Sequence, residues 1–252
     1  CPLLGDTLER FGREGLHLFT EGDVAQQLLR HIDGESLISQ DDLSAQKAHI
    51  RPALPVDYRN TRLWVPNAPS AAGVSLAHSL CELEAGGSID DVTSADTVQR
   101  IATALQSTFS LRKKPFLRDL FTEGFGPSFL ARVQARRDPA KGPRPGYTTH
   151  ISTADEHGNA VSITHSLGET AGETAGNTGV LINNFLGEAD VNPPNLRRPA
   201  GARLLTMCCP CIMELPDGRV FALGSGGSSR IPTAVLHGTM YLTDANWPST
   251  EA

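Results

Sequence analysis

Two threonines, Thr148 and Thr149, and then His150 follow directly on "RRDPAKGPRPG", residues 136–146 and Tyr147. The Pro, Gly and charge content of that run is that of an exposed, cleavable connector. A threonine hydroxyl is a poor nucleophile alone. If the connector is cut, however, the freed α-amino group of Thr148, with an ordinary pKa of about 7.7–8.0, can take the hydroxyl proton at neutral pH. Base and nucleophile then share one residue. The same hydroxyl can first attack the carbonyl of Tyr147 to give an ester that water opens, so that the chain cuts itself between Tyr147 and Thr148. Taken alone, a Thr-Thr pair at a strand start is ordinary β-propensity.

Other motifs carry less chemistry. "GSGGSSR", residues 224–230, has the glycines of a phosphate cradle but lacks the Gly-Lys-Ser/Thr ending. Cys208, Cys209 and Cys211 crowd into "MCCPCIM", with no second cluster to complete a four-ligand zinc site, and read as buried free thiols on a core strand. Such thiols lean towards a reducing compartment. His150 and His165 read as packed or hydrogen-bonded residues, and Asp155 and Asn159 in "DEHGN" as turn formers. No metal and no cofactor is expected.

The elements around Thr148 fall into two textures. Up to residue 137 the chain reads as helix-rich. "TEGDVAQQLLRHI", residues 20–32, opens with a Thr cap and acidic residues in its first turn, and "SADTVQRIATALQSTF", residues 94–109, repeats apolar residues at three and four. "YRNTRLWVP", residues 58–66, is one strand-like interruption, and "RVQARR", residues 132–137, is the basic end of a helix. Beyond the connector the pattern changes to strands: "TTHISTA" and "AVSITHS" flank "DEHGN", then come "GVLINNF", "RLLTMCCPCIMEL" and "RVFALG", before the glycine loop runs into a helix. Strands stacked on helices predict a layered α/β sandwich.

The bounds agree with a globular enzyme-sized unit. The chain has 252 residues, 39% of them hydrophobic and 20% charged. A formal charge of −6 argues against a nucleic-acid partner, and the apolar runs are too short to span a bilayer. The first residue is Cys, and the last run, "TDANWPSTEA", lacks a closing element, so the sequence is expected to be a piece of a longer chain.

Three segments of the second half, "TTHIS...D..GNAVSIT", "GVLINNFLGEADVNP" and "GSGGSSRI", resemble the γ-glutamyltransferases (γ-glutamyl transpeptidases) of the N-terminal-nucleophile hydrolase superfamily. "GLHLFTEGDVA", "LISQDDL" and "YRNTRLWVPNAPSAAGVSL" are weaker echoes in the first half. The resemblance implies a four-layer αββα sandwich, α+β in class and partly truncated here. It implies a precursor that becomes a large subunit, whose C-terminal part is 1–147, and a small subunit beginning at 148–252 with Thr148 as nucleophile. Ser166 falls where the family has a threonine that supports the nucleophile, keeping its hydroxyl. Gly226 and Gly227 fall in the family's Gly-Gly oxyanion loop, and Thr206 where a substrate-binding serine is frequent.

The departures concern the substrate. Where the family anchors the α-amino group of glutamate with Asn, Gln and Asp, this chain has Gly168, Phe185 and Glu188. The family's arginine for the α-carboxylate lies outside this sequence. A charged amine without its partners is costly to bury, so a pocket lined by Phe185 is expected to discriminate against a glutamyl donor. The expected partners are therefore a small-molecule amide or γ-glutamyl donor and water or an amino-acid acceptor. The resemblance extends to acylases and to hydrolases of natural-product metabolism. An uncut relative serving as a binding or structural protein remains the other reading.

Overall fold

The computed structural model describes residues 1–133, 147–194 and 196–251. Pro2 in the first turn opens α1 (Pro2–Glu14), whose missing N–H is one that no helix start satisfies internally. Short helices α2 (His17–Thr20), α3 (Asp23–His31) and α4 (Gln40–Ala45) follow. The expected Thr20 cap is corrected here: α3 starts at Asp23 after Gly22, and the Thr20 hydroxyl instead donates back to the Leu16 carbonyl. The α4 start carries a full capping box between Ser39 and Asp42.

The run expected to be one strand across residues 58–66 is a hairpin. β1 (Leu54–Tyr58) and β2 (Thr61–Val65) alternate buried and outward residues and meet at a two-residue turn, Arg59 and Asn60, both with positive φ. The Arg59 guanidinium locks this turn by pairing with Asp244 and Glu84 and donating to the Leu83 and Gly87 carbonyls. Behind the hairpin lies α5 (Ala71–Ala85), apolar on nearly every side and buried along most of its length. Gly73 lets it approach: a Cβ there would stand 2.0 Å from the Pro66 carbonyl oxygen. α6 (Ala95–Leu111) is the helix its apolar repeat predicts, with Ser94 as its cap, and α7 (Lys114–Asp119) and α8 (Phe125–Val133) pack Phe116, Phe125 and Phe129 together. The rest of the basic run at 132–137, and the connector at 136–146, lie outside the described residues.

Beyond the connector, β3 (Tyr147–Ala154) and β4 (Ala160–Gly168) form a two-stranded antiparallel sheet. β5 (Cys211–Glu214) and β6 (Val220–Leu223) extend the first hairpin into a four-stranded antiparallel sheet of order β1-β2-β5-β6. α9 (Ile231–Thr243) packs beside α5. Two strand expectations are corrected. Residues 179–185 make only an isolated bridge at Leu181 and a 3₁₀ turn at Phe185–Gly187, and in residues 203–215 the strand begins only at Cys211. In both segments backbone groups bond outside any strand ladder: the Ile182 N–H donates to the Glu173 carbonyl in a loop, and the Thr206 carbonyl accepts the Ala71 N–H at the start of α5. Cys209 and Cys211 are buried and Cys208 half-buried, all three as free thiols.

The layers run from α5 and α9 through the four-stranded sheet to the β3–β4 hairpin. The hairpin face bearing His150, Ser152 and Ser162 turns to β6, where the Ser152 and Ser162 hydroxyls donate to the Ala222 and Leu223 carbonyls at 2.8 Å. Its other face carries Ile151, Val161 and Ile163, each about half exposed. The class is α+β with two antiparallel sheets, as the sequence leads one to expect.

Candidate active site

The β3–β4 register pairs Thr148 with Ser166, with an irregularity between Tyr147 and Thr148. Period-two alternation puts Thr148, His150, Thr164 and Ser166 on one face. There the Thr148 hydroxyl donates to Ser166 Oγ at 3.2 Å, and the Ser166 oxygen also accepts the Gly168 N–H at 3.0 Å. Ser166 thus anchors the Thr148 side chain to the end of β4. His150 stays out of this contact. Its ring bonds Thr164 Oγ1 and Ser152 Oγ, both at 2.9 Å. Because Ser152 gives its own proton to Ala222, the neutral ring donates from Nε2 and accepts at Nδ1. Burial lowers its pKa.

The glycine loop closes over the start of β3. A Cβ at Gly224 would stand 2.1 Å from the His150 ring, and one at Gly226 2.5 Å from the Thr148 carbonyl oxygen. Gly227 is held at φ 116°, a conformation that side chains rarely adopt. Among the described residues, the Gly226 and Gly227 N–H groups donate to no backbone acceptor. The oxyanion role that the resemblance implies for this loop needs such uncommitted N–H groups beside the nucleophile. Adding a methyl in Gly226→Ala must push the Thr148 backbone away. Turnover of the full-length protein is then expected to fall about 10²-fold or more, with a near-normal urea midpoint. Unchanged steady-state rates would remove this loop from the chemistry.

A cavity of about 170 Å³ opens beside the hydroxyl pair, and Thr148, Ser166, Gly168, Phe185, Glu188 and Thr206 all line it. Gly226 touches Thr148 from outside this lining, and Gly227 leads into Ser228, which does line it. Gly168 and Glu188 are matched by size. Gly168 is at φ 68°, and a Cβ there would stand 2.0 Å from Glu188 Oε1, so the longer acid occupies the space a side chain at 168 would need. That same oxygen accepts the Glu169 N–H at 2.5 Å. Burial, with the nearby Glu169 and Asp190 carboxylates, raises the Glu188 pKa against the opposing effect of this hydrogen bond. Phe185 packs against the core. The Thr206 hydroxyl accepts the Cys208 N–H at 3.1 Å, so it shapes its own turn.

Sequence reasoning missed the walls Val191, Leu204, Leu205, Met207 and Cys208, brought in by irregular loops, and Ile231 at the start of α9. It also missed a link from Ser228 Oγ to Asp190 Oδ2 at 2.8 Å, which ties the glycine loop to the segment carrying Glu188. Ser228 has φ 53° without being glycine, a departure visible only in the backbone.

Two antiparallel sheets packed with helices make a fold that a solved acylase shares. The solved cephalosporin acylase from Bacillus halodurans superimposes with a TM-score of 0.78 at 21% identity, over 99% of this chain and 49% of that one. Residues 1–252 match the Gamma-glutamyltranspeptidase family, and the chain belongs to it. It is 29% identical to the glutathione hydrolase proenzyme of Escherichia coli (strain K12), over 92% of this chain and 46% of that protein. It is 30% identical to the acylase ACY 1 proenzyme of Pseudomonas sp. (strain V22), over 98% of this chain and 48% of that one. The chain spans about half the length of these curated relatives.

Proposed function

We propose that this chain is part of a self-processing amidohydrolase or acyltransferase that works through an acyl ester on Thr148. The observation that carries the reading is the Thr148–Ser166 hydroxyl contact at 3.2 Å, with Gly226 seated against the same threonine. Relatives described as proenzymes support a precursor, divided here into 1–147 and 148–252.

In this reading processing uses the same threonine. Thr148 Oγ1 attacks the Tyr147 carbonyl carbon, the peptide nitrogen leaves as the Thr148 amine, and water opens the ester to give a Tyr147 carboxylate. In turnover that amine takes the Thr148 hydroxyl proton as Oγ1 adds to the substrate carbonyl. The tetrahedral oxyanion faces the Gly226 and Gly227 N–H groups. The C–N bond then breaks, and the departing amine carries off the proton. Water or a second amine attacks the acyl-Thr148 ester to finish hydrolysis or transfer. Ser166 holds the Thr148 rotamer and supplies a polar partner to Oγ1.

The test is the full-length protein on a denaturing gel and in the mass spectrometer. Two fragments are expected, the smaller beginning at Thr148, and brief exposure to a chromogenic amide should add one acyl mass to the N-terminal peptide of that fragment. A single uncut chain, with no adduct, would instead favour a non-catalytic binding role.

A further inference from the structure

A second cavity, a cleft of about 690 Å³, shares Leu204 and Thr206 with the acyl cavity as a common wall. Its floor is apolar and flat: Trp64 on β2 pairs directly with Ile212 on β5, both on the face turned away from the helices. Its rim is cationic, carrying His49, Arg51 and Arg203. No Asp or Glu lines the cleft among the described residues. Some guanidiniums of the chain pair with carboxylates, as in Arg10, Arg13, Arg59, Arg62, Arg118 and Arg219, and others bond backbone carbonyls, as in Arg100 and Arg198. Arg51 and Arg203 have no carboxylate partner among the described residues. Arg203 spends one nitrogen on the Lys47 carbonyl at 2.5 Å, which fixes it at the cleft edge. The proximity of Arg203, ahead of burial and of Arg51, lowers the His49 pKa, as expected where positive charges converge without neutralisation. In a chain of net charge −6 this local excess of cations is conspicuous.

We propose that this cleft is a subsite for the leaving amine, and that it takes an amine bearing a flat apolar portion and a terminal carboxylate. The inference rests on the acyl-threonine reading. The acyl group fills the cavity beside Phe185, and the leaving amine crosses the Leu204 and Thr206 wall into the cleft. Ser162, which lines the cleft, lies four residues from Ser166 along β4, or about 13 Å at strand spacing. The cleft thus extends along β4 away from the hydroxyl pair, which suits an extended amine and not ammonia. The Trp64 ring packs on the flat portion, and the Arg51 and Arg203 guanidiniums hold the carboxylate.

Two measurements on the full-length protein test this. Binding is read first on the unreactive Thr148→Ala variant by calorimetry, with 4-aminobenzoyl-glycine as the probe and 4-aminobenzoyl-glycinamide as its uncharged twin. The acid is expected to bind about 10-fold more tightly, and Arg51→Gln or Arg203→Gln to erase most of that preference. Kinetics come second, on cleaved enzyme, with one acyl group joined to each of the two amines. The acid-bearing donor should show a kcat/KM about 10-fold higher, the ratio falling below about 2 in Arg51→Gln. Equal affinity for acid and amide, or a preference that survives both arginine changes, overturns the subsite. Acid-selective binding with release of neither amine locates the failure in the acyl-threonine reading, because the cleft has then been shown to bind its ligand without the chemistry. Acid-selective binding with a kcat/KM ratio near 1 shows an anion site unrelated to the leaving amine, and overturns the proposal too.

Discussion

Full-length protein carrying Thr148→Ala remains a single uncut chain, and its amide turnover falls by about 10⁴-fold or more; both effects are expected from removing one hydroxyl. The Thr148 hydroxyl is on the residue that directly follows the Tyr147 carbonyl, whereas Ser166 lies across the strand pair. Loss of a nucleophile in acyl-transfer enzymes costs about 10⁶-fold in kcat, while bound-substrate effects leave some residual rate, so about 10⁴ is a lower bound. Thr148→Ser keeps the hydroxyl and should retain processing, at a reduced rate, since it loses the methyl that restricts χ1. Ser166→Ala should leave the nucleophile in place but loosen its rotamer, giving an intermediate loss. Intact mass after overnight incubation and initial rates with one chromogenic amide decide the matter. Cleavage at Tyr147–Thr148 in the Ala variant would show that another group, or another protease, makes the cut.

What the sequence made legible depended on whether the signal was local. The β3–β4 hairpin was readable because "DEHGN" supplies its own turn, with Asp155 accepting from the Asn159 side chain and from the His157 and Asn159 N–H groups. Helix α6 was readable because Ser94 caps it and its apolar residues repeat. The β1–β2 hairpin was misread as one strand because its turn residues, Arg59 and Asn60, are not the Asn-Gly pair that marks such turns. What holds Arg59 at positive φ is a set of distant partners, Glu84 and Asp244. Residues 179–185 and 203–210 have strand composition, but a loop and the start of α5 claim their hydrogen bonds. The eight candidate site residues were found by motif resemblance, and the structure brings six of them to one cavity with Gly226 against Thr148. The walls Leu204, Leu205 and Met207 lie outside those motifs, because any large apolar side chain in that loop would serve.

The exchange at 168 and 188 sharpens the question of donor. A glutamyl group brings an ammonium and a carboxylate, and each needs partners once water is excluded. Glu188 offers one carboxylate, yet its Oε1 is already engaged by the Glu169 N–H and pressed over Gly168, and its raised pKa weakens its hold on a positive charge near the acidic end of the pH range. Gly168 supplies no side-chain donor, Phe185 lines the cavity with an apolar ring, and beside the hydroxyls of Thr148, Ser166, Thr206 and Ser228 and the Cys208 thiol the other walls are Val191, Leu204, Leu205, Met207 and Ile231.

A γ-glutamyl anilide is therefore expected to be a poor donor, and an anilide with an apolar or aromatic acyl group a better one. Two missing hydrogen bonds to charged groups, at roughly 1.5–3 kcal/mol each, lower kcat/KM for the glutamyl donor by about 10²–10⁴-fold. The size match also predicts how glutamyl activity can be raised. Gly168→Asn alone brings a Cβ to 2.0 Å from Glu188 Oε1, so it should swing that flexible carboxylate out of its place beside the cavity while the fold holds, since Asn tolerates positive φ. Combined with Glu188→Asp, which withdraws the carboxylate by one methylene, and Phe185→Gln, it restores room and two amides together. The triple variant should gain at least about 10-fold in γ-glutamyl kcat/KM and lose activity on the apolar donor. Rates for both anilides across wild type, Gly168→Asn and the triple variant, all as cleaved full-length protein, provide the comparison. A wild-type γ-glutamyl kcat/KM on the order of 10⁴ M⁻¹s⁻¹ or above would show that Glu188 alone suffices to anchor the ammonium, and the apolar-donor reading would then be lost.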